Sequence, residues 1–390
     1  MPRFLNAILL LGASNNLFFS IYAQMIFPEP IIPNGNYSQL SRAGFPLFTP
    51  YPLFNPFQAI IPGQVFATPP AYAGTVQTCI CVPIGTCTGT TVAPSNDGSG
   101  IIDIRIVNNP PSPTVPTAPC FTGLQRCCFP GPYKCGVRYP PVAGSPAAGP
   151  GQAPYGKYPW QAVLLGPGDV YQGSGVLVDA LNVLTTAHKV ANYSAVPAQL
   201  RVRMGEWNAA GDTEPLPAQE FVVSKIFIHP NFNPINLKND VAVLRLTVAV
   251  PLGQLPTITT ACLPVSAFVG QRCWVSGWGK NDFSGVYQTI QKEVDVPILD
   301  AAKCQSALAA TRLGSAYVFD ATSFICAGGE PGKDACTGDG GSPMVCEVNG
   351  QHFVAGLAAW GIGCAGSNVP GVYVNVLSFN AFIQTSISSS

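Results

Sequence analysis

Fourteen cysteines in 390 residues limit what this chain can fold into more than any other feature. Free thiols in that number are hazardous in a reducing cell and are ordinary disulfide stock outside it. An oxidising, extracellular setting is therefore expected. Six of them crowd into residues 79–128, as C-I-C-V-P-I-G-T-C from Cys79, then Cys120, then the adjacent pair Cys127 and Cys128. About fifty residues bury too little apolar surface to fold alone, and disulfides worth roughly 2–4 kcal/mol each make up the deficit. Residues 79–128 read as a stapled mini-domain, although spacing alone does not choose among the fifteen pairings that six cysteines allow. Cys135 is the odd cysteine of the N-terminal half and Cys262 that of the C-terminal half, and pairing them would tether the two.

The N-terminus carries an early cation, Arg3, an apolar run from Phe4 to Leu11, a second from Leu17 to Tyr22, and a small residue at Ala23. Residues 1–23 thus have the pattern of a signal peptide, which agrees with a secreted destination. No later stretch approaches the roughly 20 apolar residues that span a bilayer, so no membrane partner is expected. Two Asn-x-Ser tripeptides, at Asn36 and Asn192, are candidate glycosylation acceptors. Residues 24–78 are dense in Pro and aromatics, with F-P-L-F-T-P-Y-P-L-F-N-P-F at 45–57. Frequent Pro forbids regular ladders and favours extended chain, so this arm is either a spacer or an adhesive segment that docks through its rings. Residues 129–153, rich in Pro, Gly and Ala, read as a linker. The formal charge is zero and only 10% of residues are charged, which leaves no electrostatic footprint for a nucleic acid partner.

Within the cysteine-rich module, I-I-D-I-R-I-V at 101–107 is a strand-like run set between P-S-N-D-G-S-G and N-N-P-P-S-P. Arg105 there is either a nicking site for a trypsin-like enzyme or a strand residue that is never cut. From Pro154 onward, runs such as G-V-L-V, L-R-V-R-M, E-F-V-V-S-K-I-F-I and V-A-V-L-R-L alternate with Gly, Pro and Asn turns. That is the spacing of an antiparallel barrel or sandwich.

Several segments are then similar, in order, to the trypsin-like serine proteases. They are P-W-Q-A-V-L-L at 159–165, L-T-T-A-H at 184–188, N-D-V-A-V-L at 239–244, V-S-G-W-G at 275–279, D-A-C-T-G-D-G-G-S-P-M-V-C at 334–346, A-W-G-I-G-C at 359–364 and P-G-V-Y-V at 370–374. One match would be weak; the ordered set is specific. The resemblance covers residues 154–390 and implies a mainly β fold of two six-stranded antiparallel β-barrels with a C-terminal helix, Leu377 to Ile387. The C-x-C-V-P start and C-C finish of residues 79–128 resemble the clip domain that precedes many arthropod serine proteases. Together they point to the clip-domain serine protease homologues of the masquerade and prophenoloxidase-activating-factor type.

Carried over residue by residue, His188 takes the place of the general base and Asp240 that of the carboxylate orienting it. The family frame C-x-G-D-S-G-G-P becomes C-T-G-D-G-G-S-P, with Gly340 in place of the reactive Ser. Glycine has no side chain for an imidazole to activate, so no functional catalytic set is expected. Ser342 is displaced by up to roughly 7 Å along the chain, whereas reaction needs contact near 3 Å. The resemblance places Asp334, Trp360, Gly361 and Gly371 in a pocket for Arg or Lys, and the backbone of Gly338 and Gly340 in the oxyanion hole. That pocket either docks a basic side chain without cutting or is inert. Lys189 replaces a family Cys, and Gly173 stands where its partner would be, so the disulfide beside the base is gone and the site is expected to loosen. No Ile-Val-Gly-Gly activation sequence lies between Cys135 and Pro159, which leaves Asp339 without an evident cationic partner.

The implied disulfides are Cys79–Cys127, Cys81–Cys120, Cys87–Cys128, Cys135–Cys262, Cys273–Cys346, Cys304–Cys326 and Cys336–Cys364. Glu206 and Glu214 fall in what resembles the family's calcium loop, which reads either as a Ca²⁺ site or as a solvated acidic loop. Beyond that ion no cofactor is expected. The implied role is that of a secreted, non-catalytic cofactor in an arthropod immune cascade, with phenoloxidase or cascade proteases as partners and oligomerisation after cleavage. An active trypsin-like endopeptidase and an adhesive or matrix protein are the rival readings.

Overall fold

The computed structural model describes residues 77–87, 119–130, 133–211, 214–280, 286–333, 339–363 and 366–389. The leader, the aromatic arm with Asn36, and the run around Arg105 lie outside the described residues. The cysteine-rich module is built on an antiparallel pair, β1 (Gln77–Pro83) and β2 (Leu124–Pro130), in which Cys79 lies opposite Cys128.

That register decides the disulfides. Cys79 bonds Cys128 across a Cα–Cα distance of 4.0 Å, while successive side chains on a strand point to opposite faces. Cys127 therefore projects from the other face of the ribbon, where it bonds Cys87. The implied Cys79–Cys127 and Cys87–Cys128 pairings are corrected accordingly: Cys79 shares its face with Cys128 opposite it, which leaves Cys127, on the other face, to Cys87. Cys81 joins Cys120, Cys135 joins Cys262, Cys273 joins Cys346 and Cys304 joins Cys326. The Cys336–Cys364 pair lies outside the described residues.

The aliphatic runs after residue 160 form the first barrel. Strands β3 (Gln161–Leu165), β4 (Tyr171–Leu177), β5 (Asn182–Thr185), β6 (Arg201–Met204), β7 (Gln219–Ile228) and β8 (Ala242–Leu246) close in the order β3-β4-β5-β8-β7-β6. Period-two alternation sorts their side chains. On β8, Ala242, Leu244 and Leu246 fill the barrel with Leu164, Leu177, Leu200 and Met204. The intervening Val243 instead joins Trp160, Val354, Leu357 and Ile383 in the core between the two barrels.

The second barrel comprises β9 (Arg272–Gly277), β10 (Lys292–Pro297), β11 (Phe324–Gly328), β12 (Pro343–Val348), β13 (Gln351–Trp360) and β14 (Pro370–Asn375). Its sheet runs β10-β9-β12-β13-β14-β11, and a bridge between Ile298 and Ala327 joins the two edges. Among the described residues three α-helices complete the order: α1 (Ala187–Val190), α2 (Ala301–Ala309), with Asp300 accepting from Lys303 N at 2.8 Å as its cap, and α3 (Asn380–Ser388). The terminal helix begins after a 3₁₀ turn at Val376–Phe379. Arg245 on β8 holds it by donating to the carbonyls of Ser386 and Ile387 at 3.0 and 2.8 Å, the end of a helix that favours a cation.

The module sits directly on the first barrel. Cys81 N donates to Gly253 O at 2.6 Å, and Cys81 and Leu124 pack with Val250 and Leu255. Gly253 has φ +86, and a Cβ there would lie 2.9 Å from Cys79 O, so the close approach requires glycine. The segment 133–153 is pinned to the connection between the barrels and to β13, Gly136 N donating to Thr260 O at 2.7 Å and His352 N to Gly136 O at 3.0 Å.

Candidate functional site

The pairing of β5 with β8 sets Thr185 opposite Ala242. His188, three residues past the end of the ladder, and Asp240, two residues before its start, therefore emerge at the same rim of the first barrel. His188 lies on the short helix α1, and Asp240 follows Asn239, whose φ of +56 is a left-handed conformation that Asn tolerates. The resulting pair is tight. His188 Nδ1 and Asp240 Oδ2 are 2.6 Å apart, and His188 N donates to Asp240 Oδ1 at 2.8 Å. Asp240 is fully buried, while about a quarter of the His188 side chain remains exposed. The imidazole is thereby oriented with Nε2 directed out of the barrel rim.

The second barrel brings the loop before β12 to meet it. Ser174 N donates to Gly340 O at 3.1 Å, Gly341 N to Ala358 O at 2.9 Å, and Ala358 N to Ser342 O at 2.8 Å, so the loop is fixed to β4 and to β13. A Cβ placed on Gly340 would lie 3.1 Å from His188 Nε2. Position 340 is thus the seat that the oriented imidazole addresses. Ser342 is not: it is fully buried, and its Oγ sits 2.6 Å from where a Cβ on Gly277 would be.

The seat is filled by Lys189, a residue that the motif comparison marked only as a lost cysteine. A Cβ on Gly340 would collide with Lys189 Cε, and Lys189 Nζ lies 3.3 Å from the same point. The stem passes through the space of the missing disulfide, with Cγ and Cδ each 3.2 Å from where a Cβ on Gly173 would project. The expectation of a loosened site is therefore corrected: the gap is packed by a lysine stem. Burial pushes the Lys189 amine below its ordinary range, against the opposing pull of Asp339 and Asp240. These two carboxylates make Lys189 a cationic neighbour of Asp339 that the absence of an activation sequence did not suggest. Asp339 also accepts from Gly279 N at 2.9 Å. The signal was present in the sequence as a joint departure at three positions, Gly173, Lys189 and Gly340, but only the fold makes them one cluster.

Of the pocket residues, Gly371 is buried on β14 beside β11, Gly361 is exposed, and Trp360 packs edge-to-face on Tyr317 and Phe324 at 6.3 and 5.9 Å. Asp334, implied at the floor of the pocket, and Gly338, one half of the oxyanion pair, lie outside the described residues. Asn192 is exposed in a 3₁₀ turn, Ala191–Tyr193, just after α1, and Ser194, which follows that turn, is exposed too.

Glu206 and Glu214 do converge. Trp207 N donates to both, at 3.1 and 3.2 Å, and Asn208 N donates to Glu214 at 2.7 Å. Burial and the neighbouring Glu214 push Glu206 up to about 8, with Arg203 opposing at 3.2 Å. Two carboxylates held this close need a proton or a cation between them near neutral pH. Among the described residues no cluster of three or more metal-ligating side chains is present.

Comparison with known proteins bears on the same regions. A family model described as trypsin matches residues 148–383, and one described as the serine protease clip domain PPAF-2 matches residues 68–129. The chain is 56% identical over 376 residues to the inactive CLIP domain-containing serine protease A3 of Aedes aegypti, a match covering 94% of this chain and 79% of that protein. It is 41% identical over 258 residues to phenoloxidase-activating factor 2 of Galleria mellonella, covering 61% of this chain and 83% of the other. With protein masquerade of Drosophila melanogaster the identity is 36% over 236 residues, covering 60% of this chain and 22% of that protein.

Proposed function

The chain belongs to the clip-domain serine proteases of trypsin-like fold, and from that premise we propose that it is a secreted, non-catalytic member acting as a cofactor in an immune protease cascade. One observation carries the reading. At the point addressed by the His188–Asp240 pair there is no hydroxyl, because position 340 is Gly, and the vacated volume is taken by Lys189 Cε. Loss of the nucleophile alone costs about 10⁶ in turnover in a hydrolase built on the same plan. Recognition without cutting is what such a scaffold retains. Phenoloxidase or its activating protease is the proposed partner, a reading supported by the name of the Galleria mellonella relative.

The test is reconstitution. The chain, before and after exposure to an upstream trypsin-like protease, is added to phenoloxidase and its activating protease, and phenoloxidase turnover is followed. The proposal requires a dose-dependent rise that His188→Ala leaves unchanged. No effect at any dose, or a rise abolished by His188→Ala, overturns it.

A bound calcium ion at Glu206 and Glu214 is part of the same proposal. The pair supplies carboxylate oxygens of the kind Ca²⁺ takes, though only part of the six to eight ligands the ion needs. Calorimetric titration with calcium chloride, with Glu206→Gln as the control, tests it: no heat of binding in the natural chain rejects the ion.

A further inference from the structure

We propose that Lys189 is a carbonyl-reactive amine, a replacement nucleophile that forms an imine with aldehydes in the groove where the protease family performs acyl transfer. The inference does not rest on the cascade reading. It begins from the distances at position 340. His188 Nε2 and Lys189 Nζ lie 3.1 and 3.3 Å from one and the same point above Gly340. The base and the amine therefore face one small volume, as the base and the hydroxyl do in a working enzyme.

Three features make that volume a reactive one. The lysine stem is confined between Gly173 and Gly340, so the amine loses little freedom on meeting an electrophile. The imidazole is held in a fixed orientation by Asp240 at 2.6 Å, which leaves Nε2 to carry a proton to or from the reacting centre. Burial lowers the affinity of Lys189 for its proton, against the opposing pull of Asp339 and Asp240, so the neutral, nucleophilic form of the amine is reached at lower pH than in an exposed lysine. His188 and Lys189 nevertheless keep part of their surface in contact with solvent, so a small aldehyde has access.

The step balances without any further reagent. The Nζ lone pair attacks the aldehyde carbon, an N–C bond forms and the carbonyl π pair moves to oxygen. The nitrogen gives its proton to His188, which passes it on to the oxygen to give the neutral carbinolamine. Loss of water then gives the C=N bond. No redox change occurs, and amine plus aldehyde equals imine plus water.

The experiment treats the purified full chain with propanal and sodium cyanoborohydride, which fixes the imine as a propyl amine, and follows each lysine by peptide mass spectrometry across pH 6–10. The comparison residue is Lys303, whose side chain is 75% exposed. Lys189 is expected to be alkylated at least about tenfold faster than Lys303, with a pH midpoint displaced to lower pH, as for other desolvated nucleophilic lysines. Lys189→Arg and Lys189→Met abolish that adduct while leaving labelling of Lys303 and the melting temperature near their natural values. His188→Gln slows alkylation of Lys189 and leaves Lys303 unchanged. A Lys189 rate at or below that of Lys303, or an unshifted pH midpoint, overturns the proposal. Equal rates in the natural chain and His188→Gln overturn the part assigned to His188.

Discussion

Gly340→Ser places a hydroxyl where His188 Nε2 already stands 3.1 Å from the new Cβ, yet the substitution alone is expected to leave the chain nearly inert. The new Cβ falls on Lys189 Cε, so the lysine must withdraw before the serine can adopt a reactive rotamer. Withdrawal exposes about three methylenes at roughly 0.8 kcal/mol each, a loss near 2 kcal/mol that rehydration of the ammonium partly offsets. In a domain of this size that corresponds to a fall in Tm of a few degrees, at about 2–4 °C per kcal/mol. A misplacement of about 1 Å at a reacting centre costs on the order of 10² in rate. Recovery of the roughly 10⁶ lost with the nucleophile, equivalent to about 8 kcal/mol of barrier, should therefore fall at least about a hundredfold short. Removing the obstacle as well, in Gly340→Ser/Lys189→Ala, is expected to raise hydrolysis of an Arg-containing peptide amide by about two orders of magnitude over the single variant. The assay is initial-rate hydrolysis normalised by phosphonate titration of reactive serine. A single variant as active as the double would refute the claim that Lys189 occupies the seat.

Other consequences are checked separately. Gly253→Val, forced into φ +86 and against Cys79 O at 2.9 Å, should destabilise the docked module by about 1–2 kcal/mol, seen as faster hydrogen exchange in β1 and β2. Arg245→Met removes two hydrogen bonds to the carbonyls ending α3 and should cost about 1–3 kcal/mol in denaturant unfolding. Glu206, raised to about 8 in the fold, binds a proton that the unfolded chain releases above about pH 4.3. Stability should therefore fall as pH rises from about 5 to about 8. His352 and His229, lowered by burial, act in the opposite sense only below about pH 6.5, whereas Lys189, also lowered by burial, opposes Glu206 above neutral pH as well. The Glu206 contribution is therefore the difference in the slope of Tm between about pH 7 and 8 between the natural chain and Glu206→Gln: the variant's slope should be more positive, and an unchanged slope would reject the assignment.

The alternating aliphatic runs made an antiparallel β fold legible but left barrel and sandwich open; the two barrels and the His188–Asp240 pair were legible through the ordered motifs that resemble the trypsin-like proteases. Two things were not. The disulfide partners of Cys127 and Cys128 depend on which residue of β1 faces which residue of β2, and spacing does not contain that register. Lys189 takes its meaning from contact with Gly340 on the other barrel, so a local motif records it as a lost cysteine and no more. Reading Gly173, Lys189 and Gly340 as one compensated change would have anticipated a filled site in place of a loosened one.

The most direct measurement is the intact mass of the natural, processed chain after treatment with a serine-directed fluorophosphonate bearing a basic side chain. The account predicts no phosphonyl adduct on any serine under conditions that label trypsin to completion. A stoichiometric adduct on Ser342, or on any other serine facing His188, would contradict it.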